Sequence, residues 1–258
     1  MKEFLRTVKN RILKPAYGWF GNFRNWEEAN KATGGYNTQF IVDKVKSASL
    51  KVKHGEAAFE RDSVLFYHRE YSWPVVSALL WSAAQNHGRL RVMDFGGALG
   101  STYYQYKHLF DSLPEVKWCI VEQTNFVDIG KADFETEILK FYPDIESCLA
   151  SNQIDIFLCG CVLPYLREPY AVMDKIMSQK IPLLIIDRMP FIDGGTDRLT
   201  IQKVPPQIYD ASYPSWFFSY TKFTAYIQQA YSLVAEYDCA DRANIKSSYK
   251  GLILKSLT

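Results

Sequence analysis

Between residues 90 and 187, five short apolar runs (90–95, 116–122, 138–142, 154–159 and 181–187) are separated by segments of helical spacing, among them 101–111, 125–134 and 169–178. This alternation limits the fold more than any other feature of the chain. Strands that are apolar on both faces and joined through helices build a parallel sheet covered on both sides, because right-handed crossovers spread the helices over its two faces. The last two apolar runs, 232–237 and 248–255, have ten residues between them, too few for a helical crossover, so they pair antiparallel. The expected fold is α/β and Rossmann-like: a mostly parallel seven-stranded sheet with a C-terminal antiparallel hairpin.

Residues 1–85 read as a helical N-terminal extension or cap, and 86–258 as the Rossmann-like domain. In 1–14, Leu5, Val8 and Ile12 fall on one helical face among Lys2, Arg6, Lys9, Arg11 and Lys14, and Pro15 ends the pattern. Such a basic amphipathic helix either packs on protein or rests peripherally on an anionic membrane surface. Helical stretches follow at 26–33, around Ile41, Val45 and Ala48, and after Pro74. The stretch 190–218, rich in Pro, Gly, Tyr and Trp, reads as an irregular insertion covering the substrate.

Thirty Lys and Arg against twenty-eight Asp and Glu leave a net charge of +2, too balanced for a general nucleic-acid-binding field. No run approaches the ~18–20 apolar residues of a membrane span, and the start has no secretory apolar core, so a cytoplasmic location is expected. Five cysteines, an odd number without repeated spacing, read as reduced thiols. Cys159 and Cys161 lack the four clustered ligands of a zinc site, so no metal centre is expected.

The segment Asp94-Phe95-Gly96-Gly97-Ala98-Leu99-Gly100 sits where the first strand of the alternating region turns into a helix. Ligands of open α/β sheets bind just outside such carboxyl ends, and glycines there let backbone approach the ligand. A dinucleotide fingerprint ending on Gly100 needs glycine at 95, where Phe95 stands. Asp94 suits a cationic amino group better than a pyrophosphate. Glu122, followed by Gln123, closes the second strand, where an acid accepts hydrogen bonds from ribose hydroxyls. An amino acid joined to a nucleoside meets both demands, and S-adenosylmethionine has that composition. Asp144 and Ile145, after the third strand, are placed for the adenine, with a helix N-cap as the alternative for Asp144. Gly160 and Cys161, ending the fourth, offer backbone beneath the cofactor.

These residues, with Val121-Glu122-Gln123, Ile186-Asp187-Arg188 and Tyr213-Pro214-Ser215-Trp216-Phe217-Phe218, resemble a bacterial family of class I S-adenosylmethionine-dependent methyltransferases associated with surface-polysaccharide and lipopolysaccharide gene clusters. The likeness runs from about Gly21 through Gly251 and takes in Trp26, Gly34-Gly35-Tyr36, Arg61-Asp62-Ser63 and Tyr71-Ser72-Trp73-Pro74. It implies the class I methyltransferase fold, with Asp94, Gly96, Gly97 and Gly100 as the cofactor loop and Glu122 as the ribose acid. The loop departs from the common acid-x-G-x-G-x-G pattern, since Ala98 stands at the middle glycine. The resemblance supplies no catalytic residue.

Methyl transfer rests largely on alignment, but a sugar hydroxyl must also lose its proton. Asp187 is the first candidate base, Arg188 a candidate for an anionic substrate group, and His68, with Tyr71 and Trp73, a further candidate on the cap. Asp193 and Asp197 near Asp187 match no tight cation loop. Tyr209, Tyr213, Trp216, Phe217 and Phe218 suit either sugar stacking or packing. The expected activity is O-methylation of a sugar or surface-polysaccharide precursor. The alternatives are a non-catalytic methyltransferase-like partner-binding protein and a nicotinamide-dependent oxidoreductase or epimerase.

Overall fold

The structure, a computed structural model, describes residues 16–34, 38–208 and 210–257. The helix expected at 1–14, and with it the membrane contact, lies outside the described residues, as do Gly35, Tyr36 and Tyr209. The described chain opens with β1 (Gly18–Phe23), α1 (Trp26–Lys31), α2 (Thr38–Lys53), β2 (Phe59–Arg61), β3 (Val64–Phe66) and α3 (Trp73–Gln85). Alternation follows through β4 (Arg89–Phe95), α4 (Ser101–Tyr106), β5 (Glu115–Val121), α5 (Thr124–Ile129), β6 (Leu139–Tyr142), α6 (Ile145–Ser151), β7 (Ile156–Gly160), α7 (Pro169–Ser178) and β8 (Leu183–Ile192). The chain then forms β9 (Arg198–Lys203), β10 (Ser212–Ser219), α8 (Tyr220–Ile227), β11 (Tyr231–Asp238) and β12 (Ser248–Ser256).

Seven strands lie in the order β6-β5-β4-β7-β8-β12-β11. The first five are parallel, and β12 runs antiparallel between β8 and β11. These are the expected seven strands with the C-terminal hairpin, and β10, β9 and β1 extend the sheet to ten. Strand periodicity divides the apolar runs between two cores. Val92, Trp118, Ile120, Ile156, Leu158 and Ile185 face one core, shared with α3 and α4. Met93, Cys119, Val121, Phe157, Cys159 and Ile186 face the other, shared with α6, α7 and α8. Each such fully buried large side chain contributes roughly 1.5–3 kcal/mol, so covering both faces dominates the stability of the sheet.

The N-terminal segment is not wholly helical. β1 pairs antiparallel with β9, and β2 pairs with β3 as a hairpin. The residues of β1 are too few to show a period, and their partner lies far along the chain. Trp19 is fixed there by Asn244, which accepts from its N–H at 2.7 Å and donates to its carbonyl at 2.8 Å.

Nor is 190–218 irregular throughout. β8 runs on to Ile192, β9 and β10 pair antiparallel, and β10 joins β8 in parallel through Phe218 and Ser219 alone. Pro214 is tolerated because β8 does not pair with β10 at that position. Its proline and aromatic content hides a strand from a reading based on turn residues.

Candidate active site

The glycine loop leaves β4 at Phe95, and the Gly96 N–H donates to the Val121 carbonyl at 2.9 Å, joining the ends of β4 and β5. Gly96, Ala98 and Gly100 all have positive φ, at +71°, +49° and +100°. Ala98 therefore adopts the left-handed conformation of the glycine it replaces. A Cβ on Gly96 would overlap Val162, and one on Gly97 would lie 2.6 Å from the Asp94 carboxyl. Gly100 N-caps α4 and turns the loop into the helix; it does not line the cleft.

Asp94 works from beneath this loop. It is 2% exposed, and its Oδ2 accepts from the Trp118 indole at 3.0 Å. Burial pushes its carboxyl up to about 7, against the Trp118 hydrogen bond, and neighbouring Glu122 adds to the rise. Its observed partner is thus an indole, where sequence reasoning placed a ligand ammonium. Glu122 accepts from the Gln123 N–H at 2.7 Å and from the Ala98 N–H, so its carboxylate is tied to the loop. Burial raises its pKa as well.

Asp144 N-caps α6, accepting from the Ser147 N–H at 2.7 Å, and this bond holds its carboxyl below the usual range. The cap reading of Asp144 is correct, and the residue still borders the cleft beside Ile145. Gly160 ends β7 with open space where a Cβ would stand, and Cys161 follows at φ +58°. The Cys161 N–H donates to the Asp187 carbonyl at 2.9 Å, and burial pushes its thiol up to about 12.

Next to Gly160, the pairing of β8 with β12 slips between Lys250 and Leu252. Arg188 stands at this bulge with φ +58°. Successive strand residues normally point to opposite faces; a bulge re-aims one of them, so Asp187 and Arg188 both line the cleft. Asp187 Oδ1 accepts from the Tyr237 hydroxyl at 2.7 Å. Arg188 does not stand ready for an anion: it forks onto Asp241, with Nη2–Oδ1 at 2.8 Å and Nε–Oδ2 at 3.2 Å.

His68 is exposed and is not among the residues lining the cleft. Asp193 pairs with Lys246 and Asp197 with Lys222, and no three His, Cys, Asp or Glu among the described residues are placed to hold a metal ion. Phe217 and Phe218 are fully buried and Trp216 donates to the Leu166 carbonyl, so these aromatics pack, while Tyr213 reaches the cleft.

The N-terminal segment roofs the site. Glu60 on β2 accepts from the Ser101 hydroxyl at the start of α4, and the hairpin tip brings Arg61 and Asp62 to the cleft wall. The whole cleft, about 1450 Å³, exceeds the ~300–1000 Å³ of a single-ligand pocket. Of the seven non-glycine residues with positive φ among those described, Asp62, Ala98, Cys161 and Arg188 line it. Such strain persists where the surroundings over-determine the backbone, and it clusters at functional sites. Tyr165, Tyr237 and Asp241 were missed in the sequence. The one signal was Gly251 inside an apolar strand, which marks a bulge or a close approach.

The strand order and the cleft on the carboxyl rim of the parallel strands define the Rossmann-like class I methyltransferase fold. Among solved structures the chain is similar to the N-terminal domain of EvdMO1 in the presence of S-adenosylhomocysteine (SAH) and D-fucose, with TM-score 0.52, 13% identity, and coverage of 86% of this chain and 98% of that one. The same domain with SAH bound gives 0.50 and 12%, again covering 86% and 98%. Magnesium protoporphyrin IX methyltransferase (ChlM) from Synechocystis PCC 6803 matches at 0.46 and 14%, over 83% and 97%. The likeness to the EvdMO1 domain is one of fold. No family model matches the sequence, and no curated protein matches it.

Proposed function

We propose that this chain is an S-adenosylmethionine-dependent methyltransferase acting on a hydroxyl of a sugar or surface-polysaccharide precursor. The observation that carries the reading is the two-sided cleft. Gly96, Gly97, Glu122, Gln123, Asp144 and Ile145 border it on the side of β4, β5 and β6, and Asp187 with a set of tyrosines on the side of β8, with Gly160 of β7, which pairs with Asp187, between them. The cofactor side fits an adenosyl group bearing an amino acid. The Glu122 carboxylate is tied down at the end of β5, where it would meet a ribose, and the open Cβ site of Gly160 leaves room for a ligand against the strand end. In support, the EvdMO1 domain, similar in fold, was solved with SAH and D-fucose.

The cofactor supplies an electrophilic methyl group on sulfur. With the cofactor bound, Asp187 would accept the proton that the acceptor hydroxyl loses as the methyl group passes from sulfur to its oxygen, the products being a methyl ether and SAH. Glu122 would hold the ribose from the loop side. Asp94 keeps the loop in place from below.

Calorimetric titration with S-adenosylmethionine, SAH, NAD and NADP tests the cofactor. Binding of the two adenosyl ligands, weakened at least tenfold by Glu122→Ala, is expected; no adenosyl binding, or preference for a dinucleotide, overturns the reading. SAH formation over a monosaccharide panel that includes D-fucose then tests the acceptor. Asp187→Asn is expected to slow transfer by about 10²–10⁴-fold without changing adenosyl affinity.

A further inference from the structure

Strands β8, β12 and β11 lie side by side, and one rung across them is irregular. β12 pairs Lys250 with Met189 and Leu252 with Ile186, so Asp187 and Arg188 together oppose Gly251. On its other side Gly251 pairs directly with Tyr237. Neighbouring strands are about 4.8 Å apart, so the Tyr237 phenol must cross the middle strand to reach Asp187. It does so over Gly251, where any Cβ would overlap the phenol ring and its oxygen. The hydroxyl then donates to Asp187 Oδ1 at 2.7 Å, and the Ser72 side chain adjoins it. Glycine within a strand is less stable than alanine, and Gly251 does not have positive φ, so the passage of the ring accounts for it.

We propose that Tyr237, seated in a cradle that only glycine at 251 leaves open, is a positioning residue that holds one carboxylate oxygen of Asp187 and leaves the other to receive the acceptor proton. This rests on Asp187 being the proton acceptor of the proposed reaction. Asp187 faces Arg61 from β2, Tyr106 from α4, and Cys239 and Asp241 from the connection after β11, with Arg188 beside it. Burial pushes its carboxyl up, and the Tyr237 hydrogen bond is the largest effect drawing it back, ahead of Arg188. The phenol therefore favours the charged form that a base requires.

The test is a carbon-13 NMR titration of the side-chain carboxyls of the full chain labelled at aspartate, with the Asp187 resonance assigned by its loss in Asp187→Asn. Tyr237→Phe keeps the ring and removes the hydrogen bond; it is expected to raise the Asp187 midpoint by about one pH unit. Gly251→Ala, which displaces the ring, should move it in the same direction. An Asp187 midpoint unmoved in Tyr237→Phe overturns the positioning role. Because the titration contains neither cofactor nor acceptor, that failure is separate from the failure of Asp187 as the base, which Asp187→Asn at full rate would bring about, and from that of the methyl-transfer reading, which absent adenosyl binding would bring about.

Discussion

Ala98 and Asp94 illustrate two residue-scale constraints on the same loop. A left-handed conformation costs a non-glycine residue about 1–2 kcal/mol, and Ala98 sits at φ +49°. Ala98→Gly removes that strain at the cost of a more mobile unfolded chain, so a net gain of about 0.5–1 kcal/mol is expected, read as a higher urea midpoint at constant slope. Asp94 imposes a pH dependence. Its pKa in the folded chain, about 7, lies above the ordinary 3.8, so the native state binds the extra proton between these values. Its contribution to stability is complete below about 3.8 and is lost as pH rises through about 7, a difference of up to roughly 4 kcal/mol. Urea midpoints between pH 4 and 8 should therefore fall with pH in the wild type and fall less in Asp94→Asn; equal slopes would refute the assignment.

Elements are joined through a few polar contacts whose loss has calculable effects. Arg91 on β4 forks onto Asp155 just before β7, with Nε–Oδ2 at 2.6 Å and Nη2–Oδ1 at 3.0 Å, both side chains nearly buried. The pair locks the amino ends of two central strands, on the rim opposite the glycine loop. Asp155→Ala strands a buried guanidinium and should cost about 3–5 kcal/mol by chemical denaturation. The β2–β3 hairpin turns through Asp62 and Ser63, both at positive φ, an arrangement that favours glycine at the second position. Ser63→Gly should raise the denaturation midpoint by about 0.5–1 kcal/mol, and an unchanged or lower midpoint would show that the turn is not strained.

At the scale of the whole molecule, the cleft lies between the sheet rim and a roof drawn from β1, α1, α2 and the β2–β3 hairpin. A ligand seated there touches both and stabilises the chain as a unit. At about 100 times its dissociation constant, S-adenosylmethionine should add about 2.7 kcal/mol, roughly 5–10 °C in Tm for a chain of this size. NAD at the same concentration should leave Tm unchanged; a shift with NAD alone would argue against the cofactor assignment. Among the described residues no helix is long and apolar enough to cross a membrane.

The parallel strands were legible because both of their faces are buried: the apolar runs near Val92, Trp118 and Phe157 stand out, and the helix 169–178 appears with its own boundaries. The glycine loop and Glu122 were legible for a local reason, since a strand end, a turn and a helix start are adjacent in sequence. β1, β9 and β10 were not, because a short strand is defined by a partner that sequence distance hides. Nor were the partners of the charged residues: Trp118 for Asp94, Asp241 for Arg188 and Tyr237 for Asp187 come from other strands and loops. The sequence by itself determined the layers of the sheet and the place of the glycine loop, because local periodicity and backbone conformation set both. Only the tertiary structure decided which side chains meet across the cleft, since the bulge at Arg188 and the passage over Gly251 depend on three strands lying side by side.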